Sequence, residues 1–139
     1  MGAVFIQNGT ILLVNHQKSG QSYWLLPGGG VEHTETLHQD LIREIQEEVS
    51  LNIEPGDLLC VCESINPGGR HVLHLAFKTE FKGGKLRVNK DERLKDANFF
   101  DEDGLAKVKI YPDIKDLLIE ILRKSGKIDS PRYLGNLWH

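Results

Sequence analysis

A three-layer α/β/α sandwich, with a mixed β-sheet between two helices, is the fold class that this sequence predicts. Three observations predict it. Runs of β-prone residues recur over residues 3–100, separated by Asn, Gly and Pro turns. Two stretches, 34–49 and 113–124, instead carry apolar residues at helical spacing. Each of the two has a single apolar stripe, so each can cover one face of a sheet.

The elements follow in order. Ala3–Gln7 and Thr10–His16 flank Asn8-Gly9, the pair that favours a two-residue hairpin turn with positive φ at both positions. Lys18–Ser22 is a polar loop, and Tyr23–Leu26 is a short strand stopped by Pro27-Gly28-Gly29-Gly30. Thr34 is placed to cap a helix over Thr34–Val49, with Glu35 in its first turn, where the helix dipole favours an anion. Leu37, Leu41, Ile45 and Val49, with Ile42 beside them, form its stripe. Leu58–Ile65 and Val72–Phe81 read as strands around the turn Asn66–Gly69, and Leu94–Phe100 as a further strand. A second helix spans Asp113–Lys124 on Ile114, Leu117, Leu118, Ile121 and Leu122, and Pro131–His139 forms a tail. No repeat or linker divides the chain, so residues 1–139 are expected to be one domain.

Composition excludes several classes. Hydrophobic residues make up 40% and charged residues 27%, which is globular rather than disordered. Lys+Arg is 17 against Asp+Glu 20, and a net charge of −3 argues against wrapping a nucleic acid polymer. No apolar run is long enough for a bilayer, and no basic-then-apolar leader opens the chain, so a cytoplasmic protein with no membrane partner is expected. Cys60 and Cys62, at i and i+2 of a strand, share one face and read as buried thiols. His71 and His74, three apart in a strand, face opposite ways and make a poor metal pair.

The chemistry gathers in Arg43-Glu44-Ile45-Gln46-Glu47-Glu48. The spacing i, i+3, i+4 puts Glu44, Glu47 and Glu48 on one helix face. Like charges there repel, and acids near a helix C-terminus oppose its dipole by ~0.3–1 kcal/mol each. A solvated charged face is one reading. The other is a site for a hard divalent cation such as Mg²⁺, which takes oxygen ligands and shares them with phosphates. The glycine turn just ahead of the helix favours the second reading, since Gly29 and Gly30 let bare backbone approach a metal or phosphate.

These residues resemble the Nudix hydrolase family, whose box reads G-x5-E-x7-R-E-U-x-E-E-x-G-U with U bulky and aliphatic. Gly29, Glu35, Arg43, Glu44, Ile45, Glu47, Glu48 and Leu51 match it at the right spacing, eight of nine specified positions over 23 residues. Ser50 stands where the family has glycine just past the helix, and a left-handed serine there costs ~1 kcal/mol. The hairpin before the box, and the sheet and helix after it, also match a Nudix-like sandwich.

The resemblance implies hydrolysis of a pyrophosphate bond in a nucleoside diphosphate linked to a variable group, with Mg²⁺ or Mn²⁺ as cofactor. It implies Glu44, Glu47 and Glu48 as metal ligands with the Gly28 carbonyl, and Arg43 as an orienting partner of Glu35. Glu92 matches a later loop glutamate that some members use as base or ligand. It stands against a plain loop charge, and Glu32 likewise stands between the metals and solvent. Pro67, 16 residues past Leu51, resembles the ADP-ribose pyrophosphatase branch, though it is also an ordinary turn proline. Hydrolysis of a nucleoside triphosphate or dinucleoside polyphosphate stays open, as does a catalytically inactive nucleotide sensor. Trp24 stacks on a nucleobase or joins the core. Tyr133 and Trp138 stack on a base, or pack the tail against this subunit or against the second copy of a homodimer.

Overall fold

The computed structural model describes residues 1–138. In order the elements are β1 (Gly2–Gln7), β2 (Thr10–Lys18), β3 (Gln21–Leu25), α1 (Leu37–Val49), β4 (Leu51–Ile65) and β5 (His71–Gly84). They continue with β6 (Leu94–Phe100), α2 (Glu102–Lys107), α3 (Lys115–Arg123) and β7 (Arg132–Asn136). The sheet runs β3-β2-β1-β5-β4-β7, and β6 pairs with β2. β1/β5 and β4/β7 are parallel and the other pairs antiparallel, so the sheet is mixed as expected.

Period-two side-chain alternation divides the interior into two cores. Val4, Ile11 and Leu13 face α3, where they meet buried Leu117, Leu118 and Ile121. Ala3, Phe5, Leu12 and Val14 face the other way and meet Leu41, Ile45 and Val49 of α1. The two helices therefore cover opposite faces of the sheet, as the two stripes predict. Cys60 and Cys62 are free and buried in the α3-side core, where burial pushes their thiols up to about 12 and about 11.

Four expectations need correction. α1 starts at Leu37, not Thr34. Thr36 is the cap, its hydroxyl accepting from the Gln39 amide (3.1 Å) while the Gln39 side chain accepts from the Thr36 amide (2.9 Å). Thr34 has φ +77°, so it cannot lead the helix. Leu37 and Ile42, counted in the stripe, are exposed, and the buried face holds Asp40 beside Leu41. β4 begins at Leu51 rather than Leu58. Residues 51–57, outside the expected strand, join it through irregularities in one long hairpin with β5. Finally, α2 and β7 were not foreseen. Asp101 caps α2 through the Gly104 amide (2.8 Å). β7 takes part of the tail into the sheet as the parallel neighbour of β4. Among the described residues, no helix is long and apolar enough to cross a membrane.

The corrected helix register has a direct consequence. Leu41→Ala should cost about 2–5 kcal/mol in denaturant unfolding, because it opens a cavity at a fully buried site. Leu37→Ala should cost under ~1 kcal/mol. Equal costs at the two positions would contradict this register.

Candidate active site

The site is built where α1 ends and the glycine turn leaves β3. The Gly28 amide donates to Glu48 Oε1 (3.0 Å), which docks the turn on the last turn of the helix. A side chain on Gly29 would press on the Glu44 carboxylate, the flexible end of that side chain, whereas one on Gly28 (φ +153°) would run into the Met1 carbonyl, so Gly28 is the position that needs glycine. Gly30 meets nothing within 4 Å and is exposed.

Arg43 organises the acids. Its Nε donates to both Glu35 oxygens (3.1 and 2.9 Å), and its Nη2 donates to Glu35 Oε1 (3.0 Å) and Asp40 Oδ1 (2.9 Å). Nη2 also lies 3.0 Å from Glu44 Oε1, and Nη1 lies 3.0 Å from Glu47 Oε2. Glu32 stands further out, at 3.8 Å. The expected Arg43–Glu35 pair is therefore present. The guanidinium hydrogen bonds hold the Glu35 carboxyl below its ordinary range.

The structure brings Glu44, Glu47 and Glu48 to the end of the helix without drawing them together. Among the described residues, no three acidic, histidine or cysteine side chains converge as metal ligands. Glu44 and Glu47 turn to Arg43 and Glu48 to the Gly28 amide, because mutually repelling carboxylates take whatever positive charge or donor is nearest. The donor set nevertheless suits a hard cation. Burial raises Glu44 above its ordinary range despite Arg43, and Asp40 and Glu47 push it the same way. Its ionised form is thus short of positive charge.

Two members of the site were not identified from the sequence. Asp40 is fully buried with Oδ2 unpartnered, and burial raises its carboxyl. An acid four residues before Glu44, inside the apolar stripe, was the available signal. His16 Nε2 is buried, makes no hydrogen bond, and lies 3.9 Å from Glu48 Oε2. Nothing local in β2 marks it.

Loop 85–93 closes the helix end. The Arg87 amide donates to Val49 O and the Asn89 amide to Glu48 O (3.0 Å each), while the Asn89 side chain reaches Glu47 O. Ser50 takes the left-handed conformation (φ +63°) expected at this position. Its hydroxyl donates to Arg87 O (3.0 Å) and accepts from Asn89 (3.3 Å). The departure from glycine thus gains a tether for the loop. Asp91 turns inward to accept from the Leu94 (2.6 Å) and Arg93 (2.8 Å) amides, while Glu92 is exposed and unpaired among the described residues.

A groove of about 670 Å³ is lined by Tyr23, His74, Tyr111 and Trp138 among others. Trp24 does not line it. Its ring packs edge-on against Phe100 (4.7 Å) at the margin of the α3-side core, so the core reading of this residue holds. Pro67 is exposed in the β4–β5 turn, and the turn's neighbours Asn66 and Arg70 reach the groove instead. Tyr133 bonds Glu63 through its hydroxyl. His71 bonds Glu63 and His74 bonds Ser64, so the two histidines diverge as expected.

Fold and site together define a domain with an arginine-clamped acidic helix end beside a glycine turn. The chain belongs to the NUDIX family, whose domain model matches residues 1–120. It is 33% identical over 108 residues to an ADP-ribose pyrophosphatase of Methanocaldococcus jannaschii, covering 77% of this chain and 63% of that protein. It is likewise 33% identical over 110 residues to the NAD-capped RNA hydrolase NudC of Pectobacterium carotovorum, covering 79% of this chain and 41% of that protein. The chain thus spans less than two thirds of these relatives. The MutT NUDIX hydrolase structure from Burkholderia pseudomallei superposes with TM-score 0.73 at 28% identity, covering 86% of this chain and 92% of that one. An ADP-ribose pyrophosphatase structure from Streptococcus suis gives TM-score 0.73 at 22% identity, covering 95% of each chain, a likeness in fold alone.

Two measurements test this geometry. The folded-state Glu35 carboxyl lies below its ordinary value of 4.5, so its ion pair stabilises fully above that pH and is lost as pH falls through the depressed value. Glu35→Gln should therefore melt lower than the parent at about pH 7, with the gap closing towards about pH 3. A pH-independent gap would contradict the assignment. At position 50, Ser50→Ala keeps the strain and loses the tether, whereas Ser50→Gly loses both. Ser50→Ala should fall below Ser50→Gly by about 1 kcal/mol in denaturant unfolding.

Proposed function

We propose that this chain is a pyrophosphohydrolase that cleaves a nucleoside diphosphate derivative with Mg²⁺ or Mn²⁺, and that residues 1–139 act as one domain. The observation that carries this reading is the acidic end of α1, with Glu44, Glu47 and Glu48 held around Arg43 and against the glycine turn. These three glutamates, with the Gly28 carbonyl, are the residues that would hold the cation. When bound, the cation neutralises the diphosphate and lowers the pKa of a bound water.

The chain's own residues have separate tasks. Arg43 holds Glu44 and Glu47 in place and balances their charge while Glu35 and Asp40 hold Arg43. The bare backbone at Gly29 and Gly30 gives a phosphate room to approach the helix end. The groove's tyrosines offer faces for a base. Glu92, exposed on the loop tied to the last helical carbonyls, is the proposed general base. The M. jannaschii relative supports an ADP-ribose-like substrate.

Glu48→Gln and Glu47→Gln test the reading. Turnover with Mg²⁺ should fall at least ~100-fold, or ~2.7 kcal/mol on the transition-state scale. Stability in chelator should hold or rise slightly, since one member of a repulsive cluster is neutralised and a glutamine at 48 can still accept from Gly28. Glu54→Gln, in an exposed pair with Lys82 (3.3 Å), should change neither. Lost stability with unchanged turnover would make the carboxylates structural. Nucleotide binding without turnover in the parent would identify a sensor.

A further inference from the structure

Arg43 Nη2 carries two hydrogens, yet three carboxylates stand within 3.0 Å of it. Donation accounts for two of them. One hydrogen goes to Glu35 Oε1 (3.0 Å) and the other to Asp40 Oδ1 (2.9 Å). Glu44 Oε1, also at 3.0 Å, is then a charge contact with no hydrogen left for it. The rest of the fork is turned elsewhere, since Nε is committed to Glu35 and Nη1 faces Glu47 (3.0 Å).

Asp40 is the unusual member of this set. It falls in the x7 stretch of the box, which the family pattern leaves unspecified. It is fully buried, whereas Glu35, Glu44 and Glu47 are all partly exposed. Its Oδ2 has no partner among the described residues. A buried acid with one oxygen unsatisfied lowers stability. Arg43 does not depend on it, because Glu35 on Nε and Nη2 and Glu47 on Nη1 would remain. The effect of Asp40 on Glu44 is more direct. With an apolar residue at position 40, the second Nη2 hydrogen would be left to Glu44. That carboxylate would be fixed in a charge-assisted hydrogen bond, which a divalent cation would have to break.

We propose that Asp40 is a positioning residue that keeps Glu44 available to a divalent cation, by occupying the Arg43 hydrogen that would otherwise bind it. This rests on the cation-dependent reading of the acidic helix end.

The test measures Mn²⁺ binding to the full chain without substrate, from the electron paramagnetic resonance signal of the free ion. It sets this beside the Mg²⁺ concentration that half-activates turnover. Asp40→Ala should bind Mn²⁺ about tenfold more weakly and need about tenfold more Mg²⁺. Asp40→Val, which fills the space, should behave in the same way. Asp40→Asn keeps an acceptor for the Nη2 hydrogen and loses only the charge, so it should stay within about threefold of the parent. In a Glu44→Gln background, Asp40→Ala should change Mn²⁺ affinity by less than about twofold, because its target is gone. Glu54→Gln should bind Mn²⁺ as the parent does.

Equal losses in Asp40→Asn and Asp40→Ala would show a plain field effect of the buried charge and overturn the proposal. So would an undiminished Asp40→Ala loss in the Glu44→Gln background. Unchanged Mn²⁺ affinity with lower stability in chelator would make Asp40 structural. In all three cases the pyrophosphohydrolase reading survives, provided that nucleotides are cleaved and Mn²⁺ binding is lost in Glu48→Gln. The expected Asp40 effects on Mn²⁺ binding without cleavage of any nucleotide would support the positioning role and refute that reading. A parent with no Mn²⁺ site sensitive to Glu48→Gln would overturn both.

Discussion

Arg43 is the counter-charge on which the functional end of this molecule depends. Five carboxylates lie within 4 Å of it, and three of them belong to its own helix within four residues. Asp40, Glu44 and Glu47 share one side of the helix, where like charges repel, and Glu47 also lies near the negative end of its dipole. The planar guanidinium offsets this because its donors point in several directions at once, which a lysine ammonium could not reproduce at the same positions. Its anchor on Glu35, from the segment ahead of the helix, ties the glycine turn's far end to the same charge network.

The helix terminus solves a second problem in a complementary way. Helices commonly satisfy their last carbonyls with a cation nearby, yet the last turn of α1 holds no basic residue. Loop 85–93 supplies neutral donors instead, the Arg87 and Asn89 amides and the Asn89 side chain. Ser50 completes the arrangement, since its hydroxyl can both donate and accept where a glycine could do neither. The carbonyls are satisfied while no positive side chain other than Arg43 is brought to the acids.

Much of this was legible in the sequence. Two apolar stripes gave two helices on opposite faces, and the Asn8-Gly9 pair gave the first hairpin, because these signals are local and periodic. The acidic spacing and the Arg43–Glu35 pair were legible for the same reason. What escaped depended on tertiary contacts. The expected strand starts at Leu58, and only pairing along β5 extends it back through Pro55-Gly56 to Leu51. Thr34 and Thr36 are equally good caps by type, and Gln39 decides between them by completing the box. His16 meets Glu48 across 32 residues of sequence, which no motif in β2 announces.

The two halves of the site show why the fold keeps them apart along one surface. The acidic end sits on a helix whose neighbours are a glycine turn and a loop without cations in contact. The lysines of the groove, Lys18, Lys109 and Lys115, sit on the β2–β3 hairpin and the segment before α3, beside Tyr23 and Tyr111. Were the lysines adjacent to the glutamates they would neutralise them as Arg43 does, and a divalent cation would compete with fixed ammonium groups.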